Sequence, residues 1–498
     1  LVLDVRGLTK NFGDFTANDN ITFDVRKGDI HCLLGENGAG KSTLAKCIYG
    51  ASKPDSGSIF FKGNKVSFSS PRDAINMGIG MVHQHFVLSE PMNAVENIIV
   101  GEESTGSIIN LKKEKEKIQL LCDQYGVKIN LNLPISQLSV GEQQWIEILK
   151  ALYVGVDLLL LDEPTAVLTP QEVKQLFSVI SKMAEKGITI IMITHKLHEV
   201  LSISKRVTVL RKSKSISTVI TNQSTKASLA NLLVGRNFDF MVNKIKLEIG
   251  PPVLVVDELS VQRDNQTIAI DNVSLTVHEG EVLGLAGVSG NGQKELFDAL
   301  VGVRKPFNGK IRLNDEVISN DTPAQISMKG IASVPQDRLK EGLVGDFSVK
   351  ENLILGFHKN LPFCVKSILN MKEINDFSSN AIKNYDIRTT GIDQKVQQLS
   401  GGNLQKVILA REISQPKNVL IASSPTRGLD INATYYVYNR FLELLKLKTG
   451  ILLISEDLDE LFNLADRIAV IYNGRIMGEY SIEEATLEKI GMLMAGIN

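Results

Sequence analysis

The chain repeats itself once. ITFDVRKGDIHCLLGENGAGKSTLAKCIYGASKPDSGSI, Ile21 to Ile59, aligns without a gap with VSLTVHEGEVLGLAGVSGNGQKELFDALVGVRKPFNGKI, Val273 to Ile311, at an offset of 252 positions. The same offset relates Gln84 in GMVHQHF to Gln336 in ASVPQDR. From LSVGEQQ at Leu138 and LSGGNLQ at Leu399 onward the offset is 261, and it stays so from ITHKLHE to ISEDLDE. A period this long lies far beyond the roughly 20–50 residues of stacked repeat units, so it marks a duplicated domain. The second copy carries nine extra residues between Gln336 and Ser400. A chain of 498 residues has room for two such domains. NFDFMVNKIKLEIGPP, Asn237 to Pro252, ends in Gly-Pro-Pro, which breaks helices and favours extended chain. The expected division is residues 1–240, a linker at 241–252, and residues 253–498.

Within each copy, apolar runs alternate with amphipathic segments. IHCLL, DLLLLD and ITIIMIT read as strands buried on both faces, the signature of a mostly parallel α/β sheet. STLAKCIYG and QEVKQLFSVISKMAEKG read as helices, the second with a glycine stop. LKKEKEKIQLLCDQYG reads as a helix with a solvated charged face. Lys plus Arg number 55 against 56 Asp plus Glu, so no basic domain calls for nucleic acid. The four cysteines lack ligand or disulfide spacing and read as packing thiols of a reducing compartment. No window reaches the ~18–20 apolar residues of a membrane span. Asp4, Arg6 and Lys10 make the first residues unlike a signal peptide. Any action at a membrane is therefore expected to run through partners.

Gly35-Glu-Asn37-Gly38-Ala39-Gly40-Lys41-Ser42-Thr43 fits GxxxxGK[ST] between a strand and a helix. Glycines let backbone N–H groups turn inward, the helix N-terminus adds positive potential, and Lys41 neutralises β- and γ-phosphates. Ser42 offers a hydroxyl to Mg2+. Asp162 ends an apolar strand and suits the same metal, while Glu163 can orient or deprotonate an attacking water. His195 follows another strand at a spacing suited to sensing a γ-phosphate, and Gln84 can reach metal and water from a loop. Phe12 in NFG can stack on adenine or pack in a core; the pattern alone does not choose between these.

The order of these motifs, with LSxGxQ between the glutamine loop and LLLLDEP, resembles the ATP-binding-cassette (ABC) family across nearly the whole chain, twice. The resemblance implies two tandem P-loop cassettes, each a mostly parallel core sheet with an antiparallel β subdomain and a helical subdomain. It also implies head-to-tail pairing, with ATP between the P-loop of one cassette and the LSxG serine of the other.

The second copy has lost specific parts. Lys41 becomes Gln293, Ser42 becomes Lys294, Asp162 becomes Ser423, Glu163 becomes Ser424, His195 becomes Glu456 and Phe12 becomes Asp264. Lys294, one position late on a helix, is not expected to replace Lys41. Yet Ser400, Gly401, Gly402 and Asp430 are intact, while Ser139 and Gly141 flank Val140, and Thr169 stands at the Asp430 position. In a head-to-tail pair the losses sort by site. Site one joins Lys41 to Ser400; site two joins Gln293 to Ser139 and is expected to hydrolyse poorly, although Gly287, Gly290 and Gly292 can still hold ATP. Loss of metal ligand, base and sensor together is worth several orders of magnitude in rate.

Two fused cassettes with a degenerate second half resemble the ATPase subunits of bacterial importers of simple sugars and nucleosides. GMVHQHFVL, DEPTAVLTPQE, PTRGLD and ISEDLDEL are most similar to the nucleoside branch; riboflavin importers share the layout. Ser423-Ser424 departs from that branch. The resemblance implies ATP and Mg2+ as cofactors, and two permease subunits, expected as a heterodimer, beside Gln84 and Gln336. It further implies an extracytoplasmic substrate-binding lipoprotein and a peripheral place on the cytoplasmic face of a bacterial membrane. Soluble cassette proteins of ribosomes or DNA fit less well: a long charged linker is missing, and only 55 positions separate Gln84 from Ser139, too few for a coiled-coil insertion.

Overall fold

In the computed structural model, the apolar run before the first glycine loop forms the strand Ile30–Gly35, buried along its whole length. The structure describes every residue except 85, 102–108, 167, 169, 236–247 and 498. Parallel strands Thr189–Thr194 and Arg206–Arg211 flank Ile30–Gly35. Leu158–Asp162 and Ile79–Val82 extend the parallel ladder, and Lys214–Ile220 closes the other edge antiparallel. The inner strands are uninterrupted apolar runs because both of their faces are covered. Since they run parallel, the loops that follow them all leave from one edge of the sheet.

A second sheet, in the order Phe15–Val25, Leu3–Phe12, Ser56–Phe61, Asn64–Val66, is antiparallel throughout. Its inner residues Leu3, Ile21 and Phe61 share one core with Leu33 and with Leu44 and Ile48 of the helix Lys41–Ile48. Helices Ala94–Ile99, Leu111–Tyr125 and Val140–Val154 share another core built on Ile98, Ile118, Trp145 and Leu149. The three expected layers, parallel sheet, antiparallel sheet and helical group, are all present.

The charged run LKKEKEKIQLLCDQYG forms the helix Leu111–Tyr125, which buries Ile118, Cys122 and Tyr125 and leaves most of its charges outward. The segment QEVKQLFSVISKMAEKG forms Pro170–Glu185. Cys32, Cys47 and Cys122 are free and buried. Burial pushes the Cys32 thiol up to about 12 and those of Cys47 and Cys122 to about 11, which keeps them protonated as packing groups. Among the described residues no helix is long and apolar enough to cross a membrane.

The chain divides into units Leu1–Phe240 and Met241–Asn498. Of the expected linker, 241–247 lie outside the described residues, and its last residue, Pro252, already opens the strand Pro252–Gln262. The second unit repeats both sheets: Ile331–Val334, Val419–Ser423, Gly450–Ser455, Val282–Ala286, Arg467–Tyr472 and Arg475–Ser481 in one, and Ile268–His278, Pro252–Gln262, Asn308–Leu313 and Glu316–Val317 in the other. Its nine extra residues are not one insertion. Part is taken up by the π-helical turn Arg338–Gly342 directly after Gln336, and part by the hairpin Cys364–Val365 with Ile368–Leu369, which precedes the helix Met371–Asn384.

One buried group makes the first unit sensitive to acid. His31 has no solvent exposure, and its Nε2 lies 2.8 Å from Thr208 Oγ1. Burial, aided by Arg206, pushes its imidazole from 6.5 down to about 3. Below pH ~6.5 the unfolded chain binds a proton at His31 that the folded unit refuses, so this contribution is complete above pH ~6.5 and is lost as pH falls toward 3. Thermal unfolding of wild type against His31→Gln is expected to show an extra slope of about 1.4 kcal/mol per pH unit for wild type in that window. Equal pH dependence in the two would contradict this.

Candidate active site

The glycine loop is set by local sterics. Gly40 lies at φ 94° as the residue before helix Lys41–Ile48. A Cβ there would strike the Ala17 carbonyl and the Asn18 amide, and Asn18 Nδ2 donates to the Gly40 oxygen at 3.0 Å. The turn is closed by Ala39 N–H donating to Glu36 O at 3.1 Å. The first-turn N–H groups of Lys41, Ser42 and Thr43 have no partner within the helix and so favour an anion. The Lys41 side chain is buried, and its ammonium donates to Gly35 O at 2.7 Å and Glu36 O at 3.1 Å. Burial pushes Lys41 below its ordinary value, while Glu163, Asp162 and Glu36 pull it partly back.

The neighbouring strands bring the other polar residues together. Asp162 ends Leu158–Asp162, and Ser42 Oγ donates to its Oδ1 at 3.3 Å. Burial pushes the Asp162 carboxyl up, and Ser42 offsets this in part. Glu163 is the hub. Its Oε1 lies 3.0 Å from His195 Nδ1, and its Oε2 accepts from Gln84 Nε2 at 3.3 Å. Burial raises the Glu163 carboxyl, but the His195 hydrogen bond and the charges of His195, Lys41 and Lys196 outweigh it, so the group is held below its ordinary range. The backbone of Glu163 sits at φ 48°. Asp162 and Ser42 supply hard oxygen donors, with a Gln84 amide nearby, a set suited to Mg2+.

Phe12 closes the strand Leu3–Phe12 with 54% of its surface exposed and the Lys10 ammonium 5.4 Å from its ring centroid. It is therefore not a core residue. Ser139 and Ser400 each precede a helix, Val140–Val154 and Gly401–Ile413, but their hydroxyls differ. Ser139 Oγ donates to Glu142 at 2.9 Å, whereas Ser400 Oγ accepts from Asn403 Nδ2 at 2.9 Å. Gly141 and the pair Gly401-Gly402 lie in the first turns of these helices. Asp430 caps the helix Ile431–Lys446 by accepting from Ala433 N–H at 2.7 Å. Thr169, its counterpart by position, lies outside the described residues.

The second unit keeps the backbone and changes the side chains. Gly292 takes φ 102° before helix Gln293–Leu300, and Gly290 takes φ 91°. Ser424 repeats the left-handed backbone of Glu163 at φ 42°, next to buried Ser423. Gln293 is buried, and Lys294 turns to Glu341 at 2.7 Å, which raises its affinity for the proton, so Lys294 does not stand in for Lys41. Glu456, at the His195 position, accepts from Ser289 Oγ in the glycine loop. Gln336 lies just before Asp337, which caps the turn Arg338–Gly342.

Sequence reasoning missed several residues. Glu199, fully buried, accepts from Thr165 Oγ1 and from Thr194 Oγ1 at 2.7 Å. It ties the loop after Glu163 to the strand before His195. Glu460 repeats this with Thr426 and Ser455, each at 2.6 Å. The signal was available: the last letter of HKLHE and EDLDE is the same. The surroundings differ, since Lys196 lies 3.4 Å from Glu199, whereas Asp457 takes its place beside Glu460. Burial, with Asp457 adding to it, pushes Glu460 up to about 7.

The chain is similar to known proteins along its whole length. The ABC transporter family matches the chain twice, at residues 18–166 and 270–427. The nucleoside import ATP-binding protein NupA of Lactococcus lactis subsp. cremoris (strain MG1363) is 42% identical over 498 residues, covering 100% of this chain and 98% of that protein. The guanosine import ATP-binding protein NupO of Bacillus subtilis (strain 168) is 43% identical over 496 residues, covering 99% and 97%. The glucose import ATP-binding protein TsgD13 of Haloferax volcanii is 40% identical over 525 residues, covering 99% and 96%. Among solved structures, that of the archaeal ribosome recycling factor aABCE1 with stalk protein aP1 aligns over 99% of this chain and 92% of its own. Its TM-score is 0.64 at 19% identity, a likeness of fold.

The Glu199 bridge gives a measurable expectation. Glutamine at position 199 offers one acceptor oxygen where two threonine hydroxyls need acceptors. Glu199→Gln should destabilise the first unit by about 1–3 kcal/mol, read by thermal unfolding; an unchanged midpoint would refute the bridge.

Proposed function

The chain belongs to the ABC transporter family, and from that membership we propose that it is the ATP-hydrolysing subunit of a bacterial nucleoside importer. The reading is carried by likeness along the whole chain to two import proteins, one named for nucleosides and one for guanosine. A simple sugar or riboflavin is the second reading; TsgD13, named for glucose import, favours the sugar.

ATP binding is assigned to Gly35, Asn37, Gly38, Ala39, Gly40, Lys41, Ser42 and Thr43, with Phe12 stacking on adenine. The buried Lys41 ammonium offsets phosphate charge in a site where water screens poorly. Ser42, Asp162 and Gln84 would hold Mg2+, which when bound neutralises charge on the phosphates. Glu163 accepts a proton from the water that attacks the γ-phosphate. Its depressed affinity for protons keeps it ionised and ready at neutral pH. His195 and Gln84 fix the two Glu163 oxygens, so that the carboxylate points one way. Ser400, Gly401, Gly402 and Asp430 complete this site from the second cassette in a head-to-tail pair. Ser139, Gly141, Gln293, Ser423, Ser424, Glu456 and Gln336 belong to the degenerate site.

Domains 1–240 and 253–498, joined by 241–252, would then close on ATP and open after hydrolysis. For that motion ATP must bind the closed state better than the open one. Two permeases, a heterodimer, take up the motion, and a substrate-binding lipoprotein delivers the solute. The chain then sits peripherally on the cytoplasmic face of the cell membrane and needs no nucleic acid.

Glu163→Gln is expected to reduce ATP turnover by at least about a thousandfold while ATP stays bound; near-normal turnover would overturn the base assignment. Ser400→Ala should slow hydrolysis far more than Ser139→Ala, and equal effects would contradict the sorting of sites. Uptake by vesicles carrying the whole complex, tested with nucleosides against sugars and riboflavin, decides the solute.

A further inference from the structure

The second unit carries an apolar hairpin on its surface. Strands Cys364–Val365 and Ile368–Leu369 pair antiparallel, with Val365 opposite Ile368 across the turn Lys366-Ser367. The hairpin has a firm seat. Phe363 is buried with Ile354 and Ile374, and its ring centroid lies 5.6 Å from that of Phe357 and 5.0 Å from that of Phe377. Phe363 O also accepts from Asn370 N–H at 2.8 Å, which closes the base of the hairpin. The remaining apolar side chains stay outside this small core. Leu361 is 77% exposed and Ile368 73%, and Val365, Leu369 and Met371 are exposed with them. A single exposed aliphatic residue is ordinary, but five within the eleven positions from Leu361 to Met371 mark an interaction surface.

The charge along this segment has one sign. Lys359, Lys366 and Lys372 are all exposed, and from Asn352 to Lys372 the chain has no aspartate or glutamate. Lys366 stands in the turn itself, and Lys359 and Lys372 bracket the hairpin along the chain. The next carboxylate, Glu373, is half-buried in the first turn of helix Met371–Asn384. Aliphatic tips accompanied by ammonium groups complement a layer of anionic headgroups over hydrocarbon. The apolar side chains leave water there, while the lysines reach the phosphates with their stems along the apolar boundary. Nucleic acid fits less well, because the five exposed side chains are aliphatic and offer no ring for a base to stack on.

We propose that this hairpin docks on an anionic phospholipid surface, with Leu361, Val365 and Ile368 entering the headgroup layer and Lys359, Lys366 and Lys372 holding the phosphates. The contact goes beyond the importer reading and does not depend on it, since the chain alone supplies every group that touches lipid. Neither the apolar tips nor three lysines suffice by themselves: the charges draw the hairpin to the surface, and burial of the tips keeps it there.

The test is flotation of the full-length chain with vesicles of phosphatidylcholine alone, or of phosphatidylcholine and phosphatidylglycerol in equal parts. Wild type should bind the mixed vesicles at least about tenfold more tightly than the neutral ones, and added salt should erase the difference. Lys359→Gln, Lys366→Gln and Lys372→Gln together should weaken binding to mixed vesicles about a hundredfold, since each lysine at such a surface is worth about fivefold. Leu361→Asp with Ile368→Asp should weaken it at least about tenfold. All five side chains are exposed, so both variants should melt as wild type does; if the aspartate variant does not fold, the glutamine variant decides. No binding by wild type, equal binding to neutral vesicles, or a folded variant that binds like wild type would overturn the proposal. A wild-type dimer that Leu361→Asp with Ile368→Asp dissolves would assign the hairpin to a second copy. Loss of permease co-purification with vesicle binding unchanged would assign it to a protein partner. Either outcome also overturns the lipid contact.

Discussion

Four parallel strands, lying side by side, carry this structure. Ile30–Gly35, Thr189–Thr194, Leu158–Asp162 and Ile79–Val82 are adjacent, and each ends in a loop on the same edge. Their order places Lys41, His195, Glu163 and Gln84 on neighbouring loops although the residues span more than half of the first unit's sequence. Register does the fine work: Asp162 pairs with Ile193 and Leu34 with Thr194, so the strand ends are level. An antiparallel arrangement would have sent alternate loops to opposite edges and dispersed the site.

The duplication separates what the backbone requires from what the chemistry requires. Glu163 and Ser424 share a left-handed backbone at φ 48° and 42°, and their N–H groups donate to the Ile193 and Ile454 carbonyls at 3.0 and 2.7 Å. The conformation has survived the loss of the carboxylate, so the strand-to-loop turn imposes it. The same holds for the buried bridges of Glu199 and Glu460, which persist in both copies. Retention in a unit where Gln293, Ser424 and Glu456 replace Lys41, Glu163 and His195 marks these bridges as supports of the loops.

The charges followed another course. Around Lys41 a buried ammonium is surrounded by carboxylates that restrain its loss of the proton. In the second unit the lysine is replaced by neutral Gln293, Glu456 accepts from Ser289 in the glycine loop, and Lys294 pairs with Glu341. Charge inside a poorly screened loop is felt strongly by a phosphate. The exchange of charged side chains leaves the fold of the loop intact, because Gly290 and Gly292 keep the left-handed backbone of Gly38 and Gly40.

The motif order, the 252- and 261-position offsets and the apolar strand runs made the duplicated cassette legible from the chain alone, and singled out the polar residues that the sheet gathers around Glu163. That legibility has a physical cause: phosphate cradles and doubly buried strands admit few residue types at fixed short spacings. What only the tertiary structure decided was pairing at long range. Lys294 with Glu341, Arg263 with the Gly290 carbonyl, Ser289 with Glu456 and Glu199 with two threonines join residues far apart in sequence or on different elements. Nothing in local spacing encodes such partners, because they are chosen by which loops the sheet sets next to one another and by how each buried charge must be satisfied there.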